Sequence, residues 1–150
     1  MHLKGVFPAM ATPLTPEEKI DTSALRRLVH YLIDGGIHGI VALGSTGEFP
    51  AMTESMRRLV METTLAETDG KLPVLIGCGE PGTQRTIEQI KIAAGSKADA
   101  VLVAVPYYFN MDQAAVIRHY QMVAEASELP VILYNFPQMT KTTFAADTVA

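Results

Sequence analysis

Residues 44–48 read Gly-Ser-Thr-Gly-Glu, at the end of the apolar run "HGIVALG" (38–44). Short hydroxyls and backbone N–H groups after a glycine can hold a small carboxylate without a cationic clamp. The same cluster also reads as a turn and helix cap. Two more sets of hydroxyls follow apolar runs: Tyr107-Tyr108 after "DAVLVAVP" (99–106), and Tyr134 within "LPVILYN" (129–135). Phenols, with an ordinary pKa near ~10, relay protons when another hydroxyl shortens the path. They also serve as packing aromatics, and Tyr134 shares a strand face with Ile132. The chain offers no carboxylate pair, no histidine cluster and no Cys/His set with metal spacing. His2, His30, His38 and His119 are scattered, and surface roles are expected for all of them.

These groups need a frame that collects the ends of apolar runs. The runs fall at 5–12, 38–44, 72–79, 99–106 and 129–135. They are short, rich in β-branched and aliphatic residues, and bounded by Gly or Pro, which reads as strands. Being apolar on both faces, they suit a parallel sheet covered by helices. Helical patterns lie between them. In 23–34, Leu25, Leu28, Val29, Leu32 and Ile33 share one face, and Gly35-Gly36 ends the helix. Thr53-Glu54 opens a second helix running to Gly70, Thr83 caps a third, Asp112 starts a fourth, and a fifth begins near Ala145. Strand starts recur roughly every 30 residues, the length of one βα unit. Such a series builds a (β/α)8 barrel or a doubly wound sheet, and ligands bind at the C-terminal strand ends of both. Those ends carry Thr12-Pro13, the 44–48 cluster, Gly77-Cys78-Gly79, Tyr107-Tyr108 and Tyr134-Asn135-Phe136-Pro137.

"GCGEPG" (77–82) matches the dinucleotide pattern G-x-G-x-x-G. Pro81 stiffens the turn where a helix would present free N–H groups, and Asp99 precedes the next strand instead of ending it. A glycine loop rimming a pocket is the expectation there.

The chain has 150 residues, 48% of them hydrophobic and 19% charged, enough for one domain with a real core. A net charge of −4 and no basic run argue against nucleic acid or an anionic membrane surface as partner. No apolar stretch approaches the ~20 residues of a membrane span. The N-terminus lacks a signal-peptide core, and the single cysteine, Cys78, makes no internal disulfide, so a cytoplasmic setting is expected.

"GSTGE" after the second run, "PYY" after the fourth and "YNFP" after the fifth, with the opening "GVFPAMATPL", resemble the dihydrodipicolinate synthase/N-acetylneuraminate lyase family. The resemblance covers essentially the whole chain. It implies a TIM barrel of which the first five βα units, residues 1–150, form an N-terminal portion without internal boundary. It also implies a lyase that makes or breaks carbon–carbon bonds to pyruvate. In that family a lysine forms an imine with the keto carbon, and the iminium withdraws electrons, so no metal or organic cofactor is implied. Ser45, Thr46 and Gly47 would bind the pyruvate carboxylate. Tyr134 would be the general acid/base, and Ser45 would link it to Tyr108, reaching in from a neighbouring subunit of a dimer of dimers.

Two departures shape the expectation. The family's lysine falls one βα unit after Tyr134, past residue 150. Of Lys4, Lys19, Lys71, Lys91, Lys97 and Lys141, only Lys141 falls in a catalytic-face loop, where it reads as a rim residue. Dihydrodipicolinate synthases also carry an arginine shortly after "YN.P" that binds the aspartate semialdehyde carboxylate, and Met139 stands there. Methionine offers no charge-assisted fork to a carboxylate. The resemblance therefore points to an aldolase acting on a 2-keto-3-deoxy sugar acid or similar small aldehyde adduct. The alternatives are dihydrodipicolinate synthase itself and a non-catalytic small-molecule binding or assembly module.

Overall fold

The computed structural model describes residues 3–149, which leaves His2 outside the described residues. Helices and parallel strands alternate: α1 (Thr22–Asp34), β1 (Ile40–Ala42), α2 (Glu54–Thr68), β2 (Val74–Gly77), α3 (Thr83–Gly95), β3 (Ala100–Ala104), α4 (Gln113–Ala126) and β4 (Val131–Tyr134). A 3-10 turn at Phe49–Ala51 follows β1, and the short helices α5 (Pro137–Thr140) and α6 (Ala146–Val149) follow β4.

Local chemistry sets the helix starts. The carboxylate of Asp21 accepts from the Ala24 N–H at 2.8 Å, that of Asp112 from Ala115 at 2.8 Å, and the Thr53 hydroxyl from Met56 at 3.3 Å. Each satisfies one of the donors that a helix's first turn leaves free. The third start differs from the sequence reading: Gly82 is the cap, and Thr83 is the first helical residue. On α1, Leu25 and Val29 are fully buried and Leu28, Leu32 and Ile33 pack partly against the same core, as the spacing predicts.

The strands form one parallel sheet in the order β1-β2-β3-β4. Register runs Ile40 to Val74, Leu75 to Ala100, and Val101 to Val131. Ile40, Ala42, Val74, Ala100, Val101 and Val103 are buried to 1% exposure or less, so side chains on both faces of the sheet are withdrawn from water. β4 pairs only with β3 and is half-exposed, with Leu133 at 39%.

The run at 5–12 does not become a fifth strand. It lies parallel to β1, but Ala9 makes only an isolated bridge to Val41. The Met10 N–H donates to the Val41 carbonyl at 2.9 Å, and the Val41 N–H to the Pro8 carbonyl at 3.0 Å. Pro8 has no N–H to continue the ladder.

Of the four histidines, His119 departs from the expected surface role: it is 1% exposed, with Nδ1 2.9 Å from the Thr83 hydroxyl. Val116, His119, Tyr120 and Val123 form the buried face of α4 at i, i+3, i+4, i+7 spacing. Burial pushes its pKa down to about 4. No helix among the described residues is long and apolar enough to cross a membrane.

Candidate active site

β1 ends because Leu43 adopts a left-handed backbone, φ 58°. For a leucine this conformation is uncommon and strained, and such strain concentrates at functional sites. The reversal drives the Leu43 carbonyl toward β2, where a Cβ on Gly77 would stand 1.9 Å from that oxygen. The loop then closes on itself. The Gly47 N–H donates to the Gly44 carbonyl at 3.0 Å and the Glu48 N–H to the Ser45 carbonyl at 3.1 Å. The Thr12 hydroxyl donates to the Gly47 carbonyl at 2.9 Å. Gly47 is thus buried with both backbone groups taken up inside the fold. The N–H groups of Ser45 and Thr46 have no partner among the described residues. Ser45 is half-buried and Thr46 is exposed.

At the far side of the sheet, β4 delivers Tyr134 to the same place. Its phenol oxygen lies 3.5 Å from Ser45 Oγ, a long hydrogen bond across 89 residues of sequence. The Tyr134 ring leans on Phe136, with centroids 5.5 Å apart. A cleft of about 370 Å³ opens between these groups, lined by Ser45, Phe49, Tyr107, Tyr134, Phe136 and Met139 among others. Among the described residues, Glu48 is its one charged lining residue. Burial, and then the nearby Glu80 carboxylate, push the Tyr107 phenol pKa up, against opposing pulls from Arg57 and Arg85. A hydroxyl pair beside free N–H groups in a mostly apolar cleft can bind a small carboxylate and pass a proton.

Three features singled out in the sequence lie outside this cleft. Tyr108 does not line the cleft; it is 84% exposed, with φ 87°, its ring edge-on to Phe109 at 4.9 Å. Lys141 is exposed, and its ammonium donates to the Gln138 carbonyl at 3.1 Å. No lysine among the described residues lines the cleft. The glycine loop 77–82 also misses it: Gly77 and Gly79 are there for close packing, the latter's missing Cβ facing Ala104 at 3.1 Å. Cys78 is 2% exposed and its thiol pKa is pushed up to about 12, chiefly by burial, so it is no nucleophile at neutral pH.

The sequence reading missed the cleft's walls. Phe49 and Phe136 directly follow the hydroxyl motifs, and that adjacency was the available signal. It also missed the pair of Arg57 and Glu80, since no local pattern joins a helix residue to one on a later loop.

The family model for the dihydrodipicolinate synthetase family matches residues 2–150. The 4-hydroxy-tetrahydrodipicolinate synthase of Salinibacter ruber is 40% identical over 148 residues, covering 99% of this chain and 49% of that protein. The crystal structure of the chloride-inhibited dihydrodipicolinate synthase of Acinetobacter baumannii, complexed with pyruvate, superposes with a TM-score of 0.96 at 34% identity. It covers 98% of this chain and 50% of that one. YagE, a prophage protein of the dihydrodipicolinic acid synthase family from E. coli K12, also in complex with pyruvate, gives 0.92 at 34% identity, over 97% and 49%. The chain spans about half the length of the curated relatives it matches. With its motifs, its parallel sheet and the match over nearly every residue, the chain belongs to the dihydrodipicolinate synthetase family.

Proposed function

We propose that this chain supplies the pyruvate-holding and proton-transferring part of a Schiff-base lyase. The observation that carries the reading is the meeting of Ser45 and Tyr134 at the mouth of one cleft, at 3.5 Å. The two pyruvate-bound relatives support the choice of keto acid. The pyruvate carboxylate sits against the Ser45 hydroxyl and the Ser45 and Thr46 N–H groups, which the loop leaves free. Gly47 turns the loop so that they face outward.

A lysine amine, supplied from past residue 150, adds to the keto carbon, and water leaves. Tyr134 carries the proton to the departing hydroxyl, and later to the oxygen of the second substrate. The iminium takes up the electron pair released or offered at the methyl carbon. Tyr108, exposed and displaced from its own cleft, serves the site of a second copy in a dimer of dimers. The whole protein is a (β/α)8 barrel, residues 1–150 being an N-terminal portion, and acts in the cytoplasm. Met139 at the cleft favours a neutral aldehyde, released from a 2-keto-3-deoxy sugar acid, over an anionic one. The name of the Salinibacter ruber relative favours the second reading, condensation of pyruvate with aspartate semialdehyde.

Borohydride reduction of the full-length protein with pyruvate tests the reading. A stable mass increment on a lysine is expected, and its absence would leave a binding or assembly module instead. Relative turnover of aspartate semialdehyde and 2-keto-3-deoxygluconate then separates the two enzymes.

A further inference from the structure

Glu80 has no part in the chemistry above, yet it is 2% exposed. It sits in the "GCGEPG" loop between β2 and α3. The Arg57 guanidinium, on the first turn of α2, donates to its Oε1; the arginine side chain is 12% exposed and the glutamate 3%. Arg85, 69% exposed, approaches the other oxygen at 3.6 Å. The Arg57 guanidinium reaches two further targets. Its Nε donates to the Met52 carbonyl at 3.3 Å, and its carbon stands 5.8 Å from the Phe49 ring centre. Phe49 in turn meets Tyr107 edge to face, 6.3 Å between centres at 82°. Phe49 and Tyr107 both line the cleft.

A buried charge pair adds little net stability over an apolar pair of the same shape. What it supplies is a fixed geometry. A planar guanidinium can hold a carboxylate, a carbonyl and an aromatic face together, as an ammonium cannot. Here that fork joins the loops that follow β1 and β2, Phe49 carries the contact on to Tyr107 after β3, and among the described residues the fork's one acidic partner is Glu80. Without Glu80 the cation is drawn toward water, and the Phe49 ring loses the partner on its face.

We propose that Glu80 is a positioning residue for the wall of the cleft that receives the second substrate: through Arg57 it seats Phe49, and through Phe49 it seats Tyr107. The identity of the two substrates rests on the Schiff-base reading; the seating of the rings does not.

The test uses the full-length protein and Glu80→Gln, which keeps the shape and removes the charge. KM for the aldehyde, or for the aldol cleaved, is expected to rise about tenfold, as a small misplacement of a binding wall does. Pyruvate trapping by borohydride should stay within about twofold. Arg57→Lys should show the same split, and adding Glu80→Gln to it should change KM little further, because both act through one contact. Equal losses on pyruvate and aldehyde, or additive effects of the two substitutions, would overturn the proposal. If Glu80→Gln fails to fold, the Arg57→Met/Glu80→Gln double variant removes both charges, and a wild-type KM in that protein overturns it equally. Failure of the wild-type protein to trap pyruvate would instead strike the functional reading. In that case a crystal structure of Glu80→Gln decides: a displaced Phe49 ring supports the proposal, and an unmoved ring rejects it.

Discussion

Ser45 Oγ and Tyr134 Oη lie 3.5 Å apart although their strands, β1 and β4, are the two edges of the sheet. In a flat sheet these strands would be about 14 Å apart, at ~4.8 Å per spacing. Two side chains of these lengths do not span that gap. The sheet curves, as strands tilted for a barrel do, and the loop from Leu43 leans across the open ends. Curvature therefore makes the site. Tyr134→Phe keeps the ring on Phe136 and removes only the proton-carrying oxygen. Turnover of the full-length enzyme should fall about 10²–10⁴-fold with circular dichroism unchanged. Normal turnover in that variant would take Tyr134 out of the mechanism.

Met139 is 67% exposed and lines the cleft beside Tyr134 and Phe136. An arginine in its place would offer a carboxylate a charge-assisted, two-pronged contact, worth about 1.5–3 kcal/mol per hydrogen bond to a charged group. Met139→Arg should accordingly raise kcat/KM for aspartate semialdehyde about tenfold or more, and leave pyruvate trapping unchanged. The comparison to make is steady-state kinetics with both aldehydes; an unchanged preference would remove Met139 from the specificity of the site.

The order of helices and the parallel sheet were legible in local pattern: β-branched runs, and Asp and Thr caps. The Ser45–Tyr134 pair was legible only through the resemblance of "GSTGE" and "YNFP" to the family, since local pattern left both as turn or packing residues. Two kinds of feature were not legible. One depends on a missing atom: at Pro8 the absent N–H reduces a strand-like run to a single bridge. The other depends on long-range contact. His119 reads as a polar residue on a helix until the face of Val116, Tyr120 and Val123 is seen to turn inward. Glu80 likewise reads as a loop carboxylate until Arg57 closes over it.

At Gly77 the backbone of β2 comes close to the turn that follows β1. A Cβ there would stand 1.9 Å from the Leu43 carbonyl oxygen and 2.6 Å from its carbon. Neither atom can swing aside as a side chain would, so β1 and β2 must part or the Leu43 turn must unwind. Gly77→Ala should cost about 3 kcal/mol or more, at the upper end of overpacking. Gly82→Ala is the control: its Cβ would meet nothing within 4 Å, and loss of a glycine cap costs about 1 kcal/mol or less. Urea unfolding midpoints of the two variants should differ sharply; similar midpoints would show that the Leu43 turn yields easily.

His119 gives the fold a sensitivity to acid. Its pKa is pushed down to about 4 by burial, against an ordinary value of 6.5. Above about pH 6.5 the ring is neutral folded and unfolded, and it contributes nothing to pH dependence. Between about 6.5 and 4 the unfolded chain binds the proton and the folded one does not, so stability falls as pH falls. Below about pH 4 the loss is complete, at roughly 3 kcal/mol. Tyr120 packs edge-on against the ring at 5.0 Å, and no carboxylate among the described residues bonds Nε2 to rescue the cation. His119→Gln keeps a polar group toward Thr83 and does not titrate. Urea midpoints measured from pH 7 to 4.5 should therefore fall more steeply in the wild-type protein than in the variant. Parallel curves would mean that the ring takes up its proton without cost, through water reaching Nε2.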